Sequence, residues 1–159
     1  MWLAIKNVVF TILVPGTVAG WLPVYVAGGF GRGRAFGLSQ LLALPILAGA
    51  LIVMLAATWH FGASGGGTPA PFDPPVRLVV RGPHRYVRNP MYLGALTAVL
   101  GWALFFQSTQ LLWYAGIAWL GAHLFVMFYE EPTLKRLFGA EYDAYRARVR
   151  RWLPGRPYS

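Results

Sequence analysis

Four long apolar runs leave this chain few ways to fold. They lie at about Val8–Ala27, Leu38–Phe61, Met91–Phe106 and Leu111–Tyr129. Roughly 20 apolar residues of helix cross the hydrocarbon core of a bilayer. A chain that enters hydrocarbon must satisfy its backbone internally, as helix or closed barrel. Only 12% of the 159 residues are charged, against about a quarter in an ordinary soluble domain. The expected fold is an all-α integral membrane protein of about four transmembrane helices. The count rises to five if the first run, broken by Pro15-Gly16 and Pro23, is a re-entrant pair. That run is too long for a signal peptide and lacks a clean small-residue cleavage site.

Orientation follows from where Lys and Arg fall. With four spans, Lys6, Arg77, Arg81, Arg85, Arg88, Lys135, Arg136 and the arginines from Arg146 onward share one side. Arg32 and Arg34 fall opposite, with the uncharged turn Gln107-Ser-Thr-Gln110. Both termini are therefore expected in the cytoplasm. The net charge of +9 points to anionic lipid headgroups. No groove-reading motif or soluble scaffold supports nucleic-acid binding.

One membrane-embedded domain spans 1–159, with N-terminal helices to residue 61, a flexible connector at 62–75 and a core at 76–154. The connector, GASGGGTPAPFDPP, has no apolar periodicity. Val76-Arg-Leu-Val-Val80 alternates weakly and reads as a short extended piece. After Glu131, apolar residues recur at three- and four-residue steps: Leu134, Leu137, Phe138, Tyr142, Tyr145, Val149 and Trp152. That pattern is an amphipathic interfacial helix, or two hinged at Gly139, ended by Pro154. Gly16 with Gly20, and Gly94 with Ala98, suit close helix packing.

Charge is concentrated at the cytoplasmic mouth of this bundle. The run Arg81-Gly-Pro-His-Arg-Tyr-Val-Arg-Asn-Pro-Met-Tyr-Leu-Gly94 leads into the third apolar run, and Glu130-Glu131 closes the fourth. Arg77 and Arg81 read equally well as lipid-facing flank. Arg88 stands two residues before Pro90, a residue suited to a helix's first turn. Its guanidinium and the helix's free N–H groups could together hold a carboxylate or phosphate. His84 and Asn89 add hydrogen-bonding groups. Glu130 and Glu131 either pair with Arg88 or Arg85, or recognise an amine, hydroxyl or cation. Adjacent helical residues diverge by about 100°, so one faces the pocket and the other faces solvent or the basic tail. His123, seven residues before Glu130, falls on the same helical face as that glutamate, though both it and His60 read first as structural. No metal-ligand spacing, nucleophile elbow or phosphate loop is present, and there is no cysteine.

Gly82-Pro-His-Arg-Tyr-Val-Arg-Asn-Pro-Met-Tyr-Leu-Gly94, Glu130-Glu131 and Phe138-Gly-x-Glu-Tyr-x-x-Tyr145 resemble the isoprenylcysteine carboxyl methyltransferase family and the wider group of integral-membrane phospholipid methyltransferases. The resemblance covers about Pro75 to Pro154. It implies S-adenosylmethionine as cofactor, held by Val76, Arg77, Leu78, Val79, His84, Arg88, Asn89, Pro90, Met91, Tyr92 and Glu130, with Arg88 and Glu130 as the central pair. The place of His84 is often aromatic in that family, and that of Asn89 is often histidine. Eukaryotic prenylcysteine enzymes carry an arginine one turn before the glutamate, where this chain has Val126.

The implied activity is methyl transfer to a lipophilic, membrane-dissolved acceptor, without a metal; the basic, compact chain without a eukaryotic targeting signal points to a prokaryotic inner membrane, with the site on its cytoplasmic side by the distribution of cations. Methylation of a phospholipid amine headgroup is the alternative. So is a non-catalytic membrane protein or transporter, although a transporter would carry polar residues across the bilayer midplane.

Overall fold

The computed structural model describes residues 2–30, 36–68 and 75–158. Arg32, Arg34 and residues 69–74 of the glycine- and proline-rich connector lie outside the described residues. Six α-helices follow in order: α1 (Trp2–Leu13), α2 (Leu22–Val26), α3 (Leu38–Gly65), α4 (Pro90–Phe106), α5 (Thr109–Phe125) and α6 (Glu131–Arg148). A π-helical segment, Thr17–Trp21, joins α1 towards α2, and a second, Val126–Glu130, joins α5 to α6. A 3-10 turn occupies Gly82–Arg85.

Among the described residues, three helical stretches are long and apolar enough to cross a membrane: Ile5–Val26, Leu38–Gly65 and the apolar part of Thr109–Arg148. The fourth, α4, has 17 residues, about 26 Å of helix against a hydrocarbon core of roughly 30 Å. The first run is a single span and not a re-entrant pair. Gly16, Trp21 and Leu22 all keep right-handed helical dihedrals through the π segment. Proline still leaves its mark there. Pro23 has no N–H to offer the carbonyl four residues back, and that carbonyl, Ala19 O, accepts from Trp102 Nε1 at 2.9 Å. Val18 O accepts from the Tyr114 hydroxyl at 2.8 Å. Neighbouring helices thus satisfy the backbone groups that the irregular turn frees, as hydrocarbon demands.

The α3–α4 contact is close because glycine allows it. A Cβ on Gly94 would stand 3.1 Å from Ala50 O and 3.2 Å from the Met54 backbone N, and one on Gly101 would meet Leu47 at 2.8 Å. Ala19, Ala50 and Ala98 form a small buried cluster beside this seam. The expected Gly94–Ala98 packing stripe is therefore present. Gly20 contributes nothing comparable, since a Cβ there meets no atom within 4 Å.

Two boundaries differ from the sequence reading. Helix α3 continues past Phe61 to Gly65, so the connector begins later than Gly62. Gly65 is buried, and a Cβ there would press on Val79 at 2.8 Å. Helix α6 stops at Arg148, not at Pro154. It does break at Gly139 (φ 50°, ψ −121°), the hinge that was expected. The residues from Val149 onward leave the helix and return as a strap across the arginine run.

Candidate functional site

The arginine run is held in place by that strap. The N–H of Arg88 donates to Arg150 O at 2.9 Å, Gly155 N to Tyr86 O at 3.0 Å and Tyr158 N to Arg85 O at 2.9 Å. Asn89 Nδ2 donates to Arg151 O at 3.1 Å, and Arg85 Nε donates to Tyr158 O at 2.9 Å. Beneath the strap, Tyr142, Tyr145 and Val149 form a buried cluster, with Leu78, Val80, Leu134, Phe138 and Tyr158 packed on it. The apolar stripe read from the sequence of α6 is what holds the loop.

Around this scaffold the charges converge. Arg88 Nη1 lies 3.2 Å from Glu131 Oε1 and donates to the Tyr142 hydroxyl at 3.2 Å. Glu131 also receives Arg151, Nε to Oε1 at 2.6 Å and Nη2 to Oε2 at 2.9 Å. One carboxylate thus sits between two guanidiniums and leaves a surplus positive charge.

Glu130 faces elsewhere. Its Oε2 accepts from the Tyr92 hydroxyl at 3.2 Å. The Tyr92 ring meets Trp152 edge-on at 6.4 Å, and Trp152 Nε1 donates to His123 Nδ1 at 3.0 Å. Through Trp152 and Tyr92 the strap links His123 with Glu130, and through the neighbouring Arg151 it also grips Glu131. Between His123 and the two glutamates lies the π segment Val126–Glu130. It takes up one extra residue and rotates everything after it by about 100° relative to an unbroken α-helix. The consecutive strap residues Arg151 and Trp152 meet Glu131 and His123.

The other expected site residues fall in several places. Pro90 is the first residue of α4 and is buried; Met91 follows in the same turn, half-buried. Asn89 precedes α4 and is buried, but its amide holds the strap and does not cap the helix. Val76 and Arg77 are exposed and bond through their backbone N–H groups to Gly65 O. The piece from Val76 to Val79 is not paired into a sheet, and no strand occurs among the described residues. Leu78 packs under α6, and Val79 is buried against Gly65. These last two support the loop, with no polar group directed at the carboxylates.

His84 is buried in the 3-10 turn, its ring 6.2 Å from that of Phe61, and its carbonyl accepts from the Tyr145 hydroxyl at 2.6 Å. Burial holds its imidazole well below the ordinary 6.5, at about 4. The Arg81 backbone opposes this, and nearby His60 adds to it. The ring is therefore neutral at pH 7. Arg88 Nε is buried with no hydrogen-bond partner, and His84 Nδ1 makes no well-aligned hydrogen bond, although the imidazole lies within reach of the Arg81 backbone. Buried polar atoms are usually satisfied, so Arg88 Nε is a place where a polar ligand could be received. Tyr142, Arg151 and Trp152 were not singled out for the site by sequence. The aromatic periodicity of the tail marked two of them, yet gave no sign that the chain doubles back.

With this geometry in view, the comparisons with known proteins are decisive for the family. The phospholipid methyltransferase family matches residues 38–141. The chain belongs to the phospholipid methyltransferase family. The match runs from α3 into α6 and includes the arginine run and both glutamates. An uncharacterized protein of Haemophilus influenzae is 36% identical over 70 residues, covering 40% of this chain and all of that protein. No solved structure matches. The protein is thus a helical membrane protein of a methyltransferase family.

Proposed function

We propose that this protein transfers a methyl group from S-adenosylmethionine to the amine headgroup of a phospholipid or a similar lipophilic acceptor. The reaction would take place at the cytoplasmic face of a bacterial inner membrane. The observation that carries this reading is the buried, unpartnered Nε of Arg88, a cation that also meets Glu131, within the charged end of the bundle. The family match supports the reaction class.

The residues present suit that cofactor. The guanidinium of Arg88 would receive its carboxylate, the Glu130 carboxylate its amine or ribose hydroxyls, and the His84 ring a further polar group. S-adenosylmethionine supplies, when bound, a methyl group on a sulfonium that needs no metal for its transfer. The chain's part is then to orient two reactants and keep water out, effects that contribute much of the rate in displacements of this kind. The strap and the Tyr142–Tyr145 cluster cover one side, and the lipid-facing helices are the route for an apolar acceptor.

An amine acceptor fits better than a prenylcysteine carboxylate. At the place where eukaryotic prenylcysteine enzymes carry an arginine, Val126 is buried in the π turn, which leaves no cation there for a substrate carboxylate. Orientation rests on the distribution of cations and on which groups meet at each end. Asn7 bonds to Gly67 at the charged end, while Gln40 bonds to Phe105 O and Gln107 to Ser39 at the uncharged one.

The test is transfer of labelled methyl from S-adenosylmethionine by the purified protein in vesicles of phosphatidylethanolamine, with a prenylated cysteine as competitor acceptor. Label in the phospholipid supports the proposal. Label in the prenylcysteine alone, or none in either, overturns it.

A further inference from the structure

We infer that Trp152 is a positioning residue, fixing Tyr92 and through it the Glu130 carboxylate, so that the C-terminal strap sets the geometry of the site as well as covering it. The inference rests on the reading of Glu130 as a cofactor ligand, and it assigns a role to a residue that the methyl-transfer reading leaves idle.

Trp152 is held from two directions. Its indole N–H donates to His123 Nδ1 at 3.0 Å, and its ring stands tilted against that imidazole at 6.1 Å. His123 is backed by Trp119, stacked at 5.3 Å with an interplanar angle of 23°. This layer gives the indole one orientation on α5. On its other side it meets the Tyr92 ring at 6.4 Å with the planes at 74°, an edge-to-face arrangement that aromatic pairs favour. The Tyr92 hydroxyl then donates to Glu130 Oε2. Strap, α5, α4 and the π turn are thus joined by one line of contacts that ends on the carboxylate. The neighbouring residue anchors the strap in the same register, since Arg151 grips Glu131 with two hydrogen bonds. Tyr92 has a rotatable ring, and its hydroxyl reaches Glu130 only in a narrow range of orientations. Packing that selects one orientation is what a precise site requires.

The experiment reads the Tyr92 ring directly, in protein labelled with carbon-13 tyrosine and assigned with Tyr92→Phe. Trp152→Ala is expected to move the Tyr92 resonance, while Trp152→Phe, which keeps an aromatic edge, restores most of it. His123→Leu removes only the acceptor and leaves the indole in place, so it decides the matter if Trp152→Ala does not fold. A smaller shift in the same direction is expected. A Tyr92 resonance that stays put in the folded variants overturns the inference.

In parallel, Trp152→Ala should raise KM for S-adenosylmethionine by about tenfold and change kcat much less, a loss on the scale of one hydrogen bond and one aromatic contact. The same substitution made in Tyr92→Phe protein should add little, because the line of contacts is already cut. Equal losses in both backgrounds would mean a merely structural role and would overturn the inference. Wild-type protein that binds no S-adenosylmethionine would overturn the methyl-donor reading instead, and the resonance would still decide the role of Trp152.

Discussion

Arg151 grips Glu131 through two parallel hydrogen bonds, at 2.6 and 2.9 Å, while Arg88 meets the same carboxylate from the other side at 3.2 Å. The relationship joins three elements that are far apart in the chain: the strap, the start of α6 and the approach to α4. It also separates the two glutamates by role. Glu131 is held by two arginines, and Glu130 is left to the Tyr92 hydroxyl.

Removing the central carboxylate should therefore be costly. Glu131→Gln leaves two guanidiniums facing each other, with Arg88 and Glu131 only 13% exposed at their side chains. A loss of about 3 kcal/mol in unfolding free energy is expected for breaking a largely buried pair. Arg151→Lys keeps the charge and loses the two-pronged contact, for about 1 kcal/mol. Denaturant titration in detergent micelles measures both. Equal losses for the two variants would mean that charge neutralisation is not the main contribution of Glu131.

The packing seam makes a second prediction. Gly94→Ala pushes a methyl group onto the α3 backbone, at 3.1 Å from Ala50 O, and should cost roughly 1–3 kcal/mol by overpacking. Gly20→Ala meets open space and should change stability by less than about 0.5 kcal/mol. Thermal melting of the two variants side by side checks the contrast.

Acidity should loosen the loop that carries the arginine run. His84 is held at about 4, below its ordinary 6.5, so the unfolded chain binds its proton first as pH falls. Its contribution to stability is complete above pH 6.5 and is lost progressively as pH drops from there towards about 4. Unfolding of His84→Phe protein should be less sensitive to pH over that window than unfolding of the wild type. Identical pH profiles would show that His84 is not the titrating group.

Much of this was legible in the chain itself, and the failures have physical causes. The spans were readable because hydrocarbon permits few alternatives to a long apolar helix. The hinge at Gly139 was readable because glycine within an amphipathic pattern invites a break. Helix α3 ran on to Gly65 against its glycine content, and the glycine lets Val79 pack close, since a Cβ there would stand 2.8 Å from its side chain. The exit of the chain from α6 at Val149 has no proline or glycine to announce it. Burial of Val149 beside Tyr142 and Tyr145 pulls it out of the helix. Which partners the two glutamates take was not legible for a different reason. A π turn changes helical phase without any residue type that marks it, so counting along the helix could not say that Arg151 of the strap would take Glu131 and Tyr92 would take Glu130.

The most direct measurement is calorimetric binding of S-adenosylmethionine to Glu130→Gln and Glu131→Gln proteins that retain their fold in detergent, compared with wild type. Binding should be lost or weakened at least tenfold, about 1.4 kcal/mol, in Glu130→Gln, with folding stability little changed. In Glu131→Gln the larger loss should be in stability. Full-affinity binding by folded Glu130→Gln protein would contradict the assignment of this carboxylate to the methyl donor.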